Sequence, residues 1–317
     1  MPKKQYPYDP YGTSPIRVIL DSDCACEGDD AFAIAQALLT TKLDIRAINA
    51  TNFAHQQDSV ERSYEAIQML LSIMEPGKHI PVLKGAPAME SKTCYEENEA
   101  SDFIIEEALR QDDRPLFLLA QGAVTNLAIA LCKKPEIAEK LTCIWIGGAA
   151  YPEGGWEFNL CNDITAARIL MESPIPLWQI PSNIYTQMVI SFATLSQKLY
   201  PCGTPGKYLC EQLWEVNKQV QDRRKAEQKK SRKPTSPDLA TGYGSGEFWI
   251  LGDSPVVGFL LFAQSGRRIE TGSPVILDDG SYKLRPDYHR RILVYQSIDP
   301  AFIFDDFFAK MQYQYGE

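Results

Sequence analysis

Short apolar runs alternate along this chain with longer segments whose apolar positions recur at helical spacing. Residues 16–20 form one such run, which ends in Asp21-Ser22-Asp23, and the Ala-rich segment 30–39 that follows has the period of a helix. The succession repeats. Strands are predicted over 43–50, 115–120, 141–146 and 175–180, and helices over 59–74, 125–132 and 164–171, with Lys133-Lys134-Pro135 closing the helix at 125–132. Strands that alternate with helices build crossover units, so the predicted fold class is α/β: a mainly parallel central sheet flanked by helices, with a Rossmann-like core. In such sheets ligands bind at the carboxyl ends of the strands, which is where Asp21 and Asp23 fall.

The pattern changes after about Tyr200. Residues 222–233 hold seven basic and two acidic side chains, and 231–246 is rich in Ser, Pro, Thr and Gly. A solvated helix end and a loop is the plain reading of this stretch. A lid beside a site is the sharper one, so a mobile insertion or lid around 218–246 is expected within a single domain spanning 1–317. Apolar periodicity returns over 246–262, and 291–296 with 301–311 predicts a closing strand and helix. There is no internal repeat.

Composition narrows the function. With 317 residues, 44% apolar and 23% charged, the chain is neither disordered nor fibrous. A formal charge of −9 repels polyanions, so no nucleic-acid partner is expected. No apolar run has the length of a membrane span, and the N-terminal MPKKQYPYDPYGTSP lacks the apolar stretch of a signal peptide; a cytoplasmic location and no membrane partner are expected. Eight cysteines without a CxxC pair do not make a disulfide scaffold. Cys24-Ala25-Cys26 is a weak candidate thiolate site, and three histidines, His55, His79 and His289, argue against a multi-histidine metal site.

Four aspartates, Asp21, Asp23, Asp29 and Asp30, fall within ten residues at the end of the first predicted strand. Crowded carboxylates repel and raise one another's pKa unless a cation or hydrogen bonds compensate. The economical reading is a hard-metal site of oxygen ligands, Ca²⁺ or Mg²⁺. Helix-end preference, worth ~0.3–1 kcal/mol per acidic residue, accounts for Asp29 and Asp30 but not for Asp21 and Asp23.

The run Asp21-Ser22-Asp23-Cys24-Ala25-Cys26-Glu27-Gly28-Asp29-Asp30-Ala31 resembles the DxDPGxDDA motif of the inosine-uridine type nucleoside hydrolases, with two extra residues before Asp29 and no Pro-Gly. Gln121-Gly122-Ala123-Val124-Thr125-Asn126 resembles that family's GPLTN segment, Ile146-Gly147-Gly148 its MGG, Glu157-Phe158-Asn159 its EFN, and Gly252-Asp253-Ser254-Pro255 its C-terminal HDP. The motifs follow in order over 16–311. The resemblance implies hydrolysis of the N-glycosidic bond of a ribonucleoside or related N-riboside, with one Ca²⁺ per subunit held by Asp23, Asp30, the carbonyl of Thr125 and Asp253. It further implies Asp23 as general base to a metal-activated water, and Asp29, Glu157, Asn159 and, more loosely, Asn52 as sugar contacts. A turn-forming role suits Asn52 as well. Asp21 is expected to share the cation. Where many family members carry a histidine that protonates the leaving base, this chain has Gly252. Trp156 and Trp249 are candidates to stack on a base, with core packing the alternative for each. A homodimer or homotetramer is implied too.

Three rivals remain at this level. A haloacid-dehalogenase-like phosphatase also places DxD after a first parallel strand, although it leaves EFN and GDSP without a role. A ribose- or nucleoside-binding protein would keep the fold and metal without the chemistry. A hydrolase of another glycoside is the third, since fold and metal do not define the leaving group.

Overall fold

A computed structural model describes residues 4–8, 15–231, 246–285 and 288–316. Twelve strands occur among them: β1 (Ile16–Ser22), β2 (Leu43–Ala50), β3 (Val82–Lys84), β4 (Leu116–Ala120), β5 (Thr142–Ile146), β6 (Leu177–Ile180), β7 (Val189–Ser191), β8 (Phe248–Ile250), β9 (Arg268–Gly272), β10 (Val275–Ile276), β11 (Tyr282–Lys283) and β12 (Arg291–Tyr295). Eight of them form one sheet in the order β3-β2-β1-β4-β5-β6-β12-β9. Every neighbouring pair is parallel except β12 with β9. The α/β class read from the sequence is therefore the observed one.

The reason lies in β1, β4 and β5, whose residues are almost all buried because helices cover both faces. Successive side chains enter opposite cores. Ile19, Leu118, Cys143 and Trp145 pack on one side of the sheet, while Leu20, Leu119, Ile144 and Ile146 pack on the other. Each fully buried Ile or Leu contributes roughly 1.5–3 kcal/mol, so a register slip here would forfeit several such terms.

The helices Asp30–Leu39 and Ser59–Met74 occupy their predicted ranges, and Thr125–Lys133 and Ile164–Glu172 end one residue beyond theirs. Several elements left no periodic trace in the sequence. β3 has three half-buried residues, and β9 is mostly exposed, so neither has a buried face to reveal it. Of the expected lid, 218–231 continues the helix Gly203–Ser231, and 232–245 lies outside the described residues. No helix among the described residues is long and apolar enough to cross a membrane.

The chain runs from β1 outward to β3, then returns to β4 on the other side of β1. Such a reversal opens a crevice beyond the carboxyl ends of the two diverging strands. Its edges are pinned by Gln121 N–H donating to the Asp21 carbonyl at 2.8 Å and Thr51 N–H donating to the Ser22 carbonyl at 2.9 Å.

Candidate active site

The segment after β1 turns back at once, with Cys26 N–H donating to the Asp23 carbonyl at 2.7 Å. Asp29 then takes the N-cap position of the helix Asp30–Leu39, yet its side chain makes no capping bond. Its Oδ2 instead accepts from the Gly252 amide at 3.0 Å, across 223 residues of chain. Helix-end preference thus does not explain Asp29. Asp30 Oδ1 accepts from Ser22 Oγ at 2.6 Å. Asp253, just after β8, completes a group in which Asp29, Asp30 and Asp253 each bring a carboxylate oxygen within 4.8 Å of the others. Asp23 lies against the backbone of Gly122: a Cβ there would sit 2.5 Å from Asp23 Oδ1, so a side chain at 122 would displace the carboxylate.

These groups line a pocket together with Glu27, Gln121, Glu157, Asn159 and Tyr185. No Lys, Arg or His lines it among the described residues. The electrostatic consequence is large. Burial, and then Asp30 and Asp29, hold the Asp23 carboxyl well above the ordinary range. Burial and then Glu27 and Asp30 do the same to Asp29, and burial with Asp29, Asp30 and Asp23 to Asp253. Burial pushes Asp30 up to about 6 despite the Ser22 hydrogen bond, and burial with Asp30 and Glu157 pushes Glu27 up to about 7. A buried set of carboxylates with no cationic side chain is strongly destabilised in its charged form. Oxygen donors at this spacing suit a hard divalent cation, which would offset the repulsion.

Of the two thiols, Cys26 lines the pocket; burial and the surrounding carboxylates push both Cys24 and Cys26 far up, which keeps them protonated when no cation is bound. Asp21 stands apart from the pocket: the register pairs it with Asn49 of β2, whose Nδ2 donates to Asp21 Oδ1 at 2.7 Å.

Glu157 caps the short helix Phe158–Asn162, and Asp163 caps the helix Ile164–Glu172. Asn159 donates both amide hydrogens, to the carbonyls of Gln121 at 2.8 Å and Ile146 at 3.0 Å, which leaves Oδ1 as its atom for a ligand. Gln121 is a residue that sequence reasoning passed over, since one polar side chain after a strand is an ordinary pattern. It is buried, it lines the pocket, and neither its Oε1 nor its Nε2 has a hydrogen-bond partner among the described residues. A buried polar atom left so costs about 1–3 kcal/mol unless a ligand or water meets it.

Four predicted site residues, Thr125, Asn52, Trp249 and Trp156, do not line the pocket. Thr125 opens its helix, where its carbonyl belongs to the helical ladder, and its hydroxyl accepts from Asn52 Nδ2 and donates to Asp163 Oδ2, both at 2.8 Å. Asn52 donates further to the Ala86 carbonyl at 3.1 Å. The two form a buried strut outside the pocket lining, and the residue of this segment that lines the pocket is Gln121. Thr125→Val is therefore expected to lower stability by about 1–3 kcal/mol in urea unfolding while leaving sugar affinity by calorimetry unchanged. Trp249 sits in β8, 1% exposed and packed in the core with Met188, Ile190 and Leu251. Trp156, by contrast, is 71% exposed on the loop before Glu157. Trp249→Ala is expected to cost about 3–5 kcal/mol, and Trp156→Ala to leave the unfolding midpoint within about 0.5 kcal/mol of the parent.

Strand order, switch-point crevice and carboxylate-lined pocket define a doubly wound α/β protein with an acidic ligand site. The family model of the inosine-uridine preferring nucleoside hydrolases matches residues 18–243, and the chain belongs to that family. Pyrimidine-specific ribonucleoside hydrolase RihA of Escherichia coli O1:K1 is 30% identical over 181 residues, 49% of this chain and 57% of that protein. The chain thus aligns with little more than half the length of this curated relative. A plant nucleoside hydrolase, PpNRh1, shares the fold with a TM-score of 0.71 at 17% identity, over 94% of this chain and 99% of that one. The type III effector XopQ, solved with adenosine diphosphate ribose, does so with a TM-score of 0.69 at 13% identity, over 95% and 94%.

Proposed function

We propose that this chain hydrolyses the N-glycosidic bond of a ribonucleoside or a related N-riboside, with one Ca²⁺ per subunit held among Asp23, Asp29, Asp30 and Asp253. The observation that carries the reading is the buried carboxylate group at the switch point with no cationic side chain lining it among the described residues. The donor set fits the ion: all its atoms are oxygens, and the burial and mutual repulsion that raise their proton affinity would be offset by a divalent cation. Gln121 replaces Thr125 as the proposed neutral contributor from the segment after β4. When bound, the cation would polarise water and sugar hydroxyls.

The chain's own groups account for the rest. Asp23 takes a proton from the attacking water as general base, a role its burial and its neighbour Asp30 favour by raising its proton affinity. As the base departs, positive charge builds on the ribose ring, and Asp29 and Glu27 face it with fixed negative charge. Asn159 Oδ1 and the Gln121 amide meet sugar hydroxyls. Trp156 provides an exposed aromatic face for the base. Assembly as a cytoplasmic homodimer or homotetramer belongs to the same reading, and the mass in solution checks the assembly.

A second reading, a ribose-binding protein without turnover, is favoured by Gly252, which offers no proton to a leaving base. The deciding experiment measures ribose released from purine and pyrimidine ribonucleosides and from ADP-ribose, with Ca²⁺ present. Release from at least one is expected. Tight ribose binding without release would replace hydrolysis by the second reading, and turnover of an aryl phosphate instead would replace both by the phosphatase.

A further inference from the structure

We infer that the hairpin of β10 and β11 holds Trp156 where a bound base stacks on it, and that Gly280 is the positioning residue of that contact. The inference rests on the reading of the pocket as a riboside site, and it extends that site to a hairpin far along the chain. Trp156 leaves most of its ring in water, which a free loop would avoid by folding the ring onto the surface. Its backbone has no such freedom. On one side, Glu157 lines the pocket and caps the helix Phe158–Asn162, accepting from the amides of Asn159 and Leu160. On the other, Gly155 N–H donates to the Gly280 carbonyl at 3.1 Å, Tyr282 N–H donates to the Glu153 carbonyl at 2.9 Å, and Gly154 forms an antiparallel bridge with Ser281. Trp156 is thus held between two fixed points, one residue from the pocket lining.

The hairpin is itself anchored. Gln179 Nε2, in β6, donates to Tyr282 Oη and to the Gly147 carbonyl, both at 3.0 Å, which ties the hairpin and the start of the same loop to the main sheet. From the helix Ile164–Glu172, Arg168 donates through Nε to the Ile276 carbonyl at 2.9 Å and through Nη2 to Asp278 Oδ1 at 2.6 Å. At the tip, Gly280 has φ +82°, and a Cβ there would lie 2.5 Å from the Gly155 carbonyl oxygen and 3.4 Å from Trp156 Cα. Any side chain at 280 therefore pushes on the peptide that carries Trp156. An aromatic side chain fixed in advance stacks on a planar ring at little ordering cost. Stacking reads the face of a base and not its hydrogen-bonding edge, so purines and pyrimidines are both expected to engage Trp156.

The test is calorimetry, with Ca²⁺, of ribose and of pseudouridine and formycin, whose carbon–carbon glycosidic bond resists hydrolysis. Wild type is expected to bind each C-nucleoside about threefold to tenfold more tightly than ribose, as one aromatic stack warrants. In Trp156→Ala and in Gly280→Ala that gap closes while ribose affinity holds, and the double variant shows no further change because both act on one contact. Arg168→Gln loosens the hairpin from outside the loop and is expected to narrow the gap in the same sense, which keeps the test open if Gly280→Ala does not fold. An unchanged gap in Trp156→Ala, a gap that the hairpin variants leave intact, or a fall in ribose affinity equal to the fall in nucleoside affinity overturns the inference. Nucleoside turnover by wild type is followed in parallel. Turnover with an unchanged gap removes this inference alone, whereas neither turnover nor ribose binding removes the riboside reading and the inference with it.

Discussion

Asp23→Ala is expected to slow ribose release by about 10²–10⁴-fold, the range for loss of a positioned general base. Its metal-free form should melt at or above the wild-type temperature. The second half discriminates between roles. A buried carboxylate that only supported the fold would lower stability when removed, but Asp23 sits among Asp30, Asp29 and Glu27, all of which push its proton affinity up. Removing it relieves repulsion and leaves only a small cavity beside Gly122. Unaltered ribose release from Asp23→Ala would end the proposed assignment, and a large fall in melting temperature would make Asp23 a structural residue.

Calcium is expected to raise the melting temperature by an amount that grows with pH. In the metal-free protein burial pushes Asp30 up to about 6 and Glu27 up to about 7, against about 4 for both in an unfolded chain. The folded state therefore binds more protons across that interval, and the stability these groups confer is full below about pH 4 and lost as pH rises to about 7. A cation competes with protons for the same oxygens, so its stabilising effect increases through that window. At free Ca²⁺ a hundredfold above its dissociation constant the gain is about 2.7 kcal/mol, of the order of 5 °C for a chain of this size. Asp21, pushed up to about 7 by burial but bonded to Asn49 outside the pocket, bends both melting curves equally. Asp253→Asn should remove most of the calcium increment. Parallel melting curves with and without Ca²⁺ from pH 5 to 7.5 would exclude the proposed site.

Much of the architecture was legible because parallel strands buried on both faces must be apolar at nearly every position, as in β1, β4 and β5. Amphipathic helices betray themselves in the same way, by period. β3 and β9 escaped because they are short or exposed and bury no face that would leave a pattern. Within the site, Asp23, Asp29 and Asp30 were legible because they are close in the chain and too many for a helix end. The two tryptophans differ in the opposite sense. Nothing local distinguishes Trp156 from Trp249, and only packing buries one and exposes the other.

The sequence by itself determined the alternation of strands and helices and the presence of an acidic loop after β1, since both follow from residues within a few positions of one another. Tertiary structure alone decided that Asp253 joins Asp29 and Asp30, that Gln121 rather than Thr125 faces the pocket, and that Tyr185 fills the room beside Gly252. Those contacts depend on the switch-point crevice and on the β7–β8 pairing, which join segments far apart in the chain.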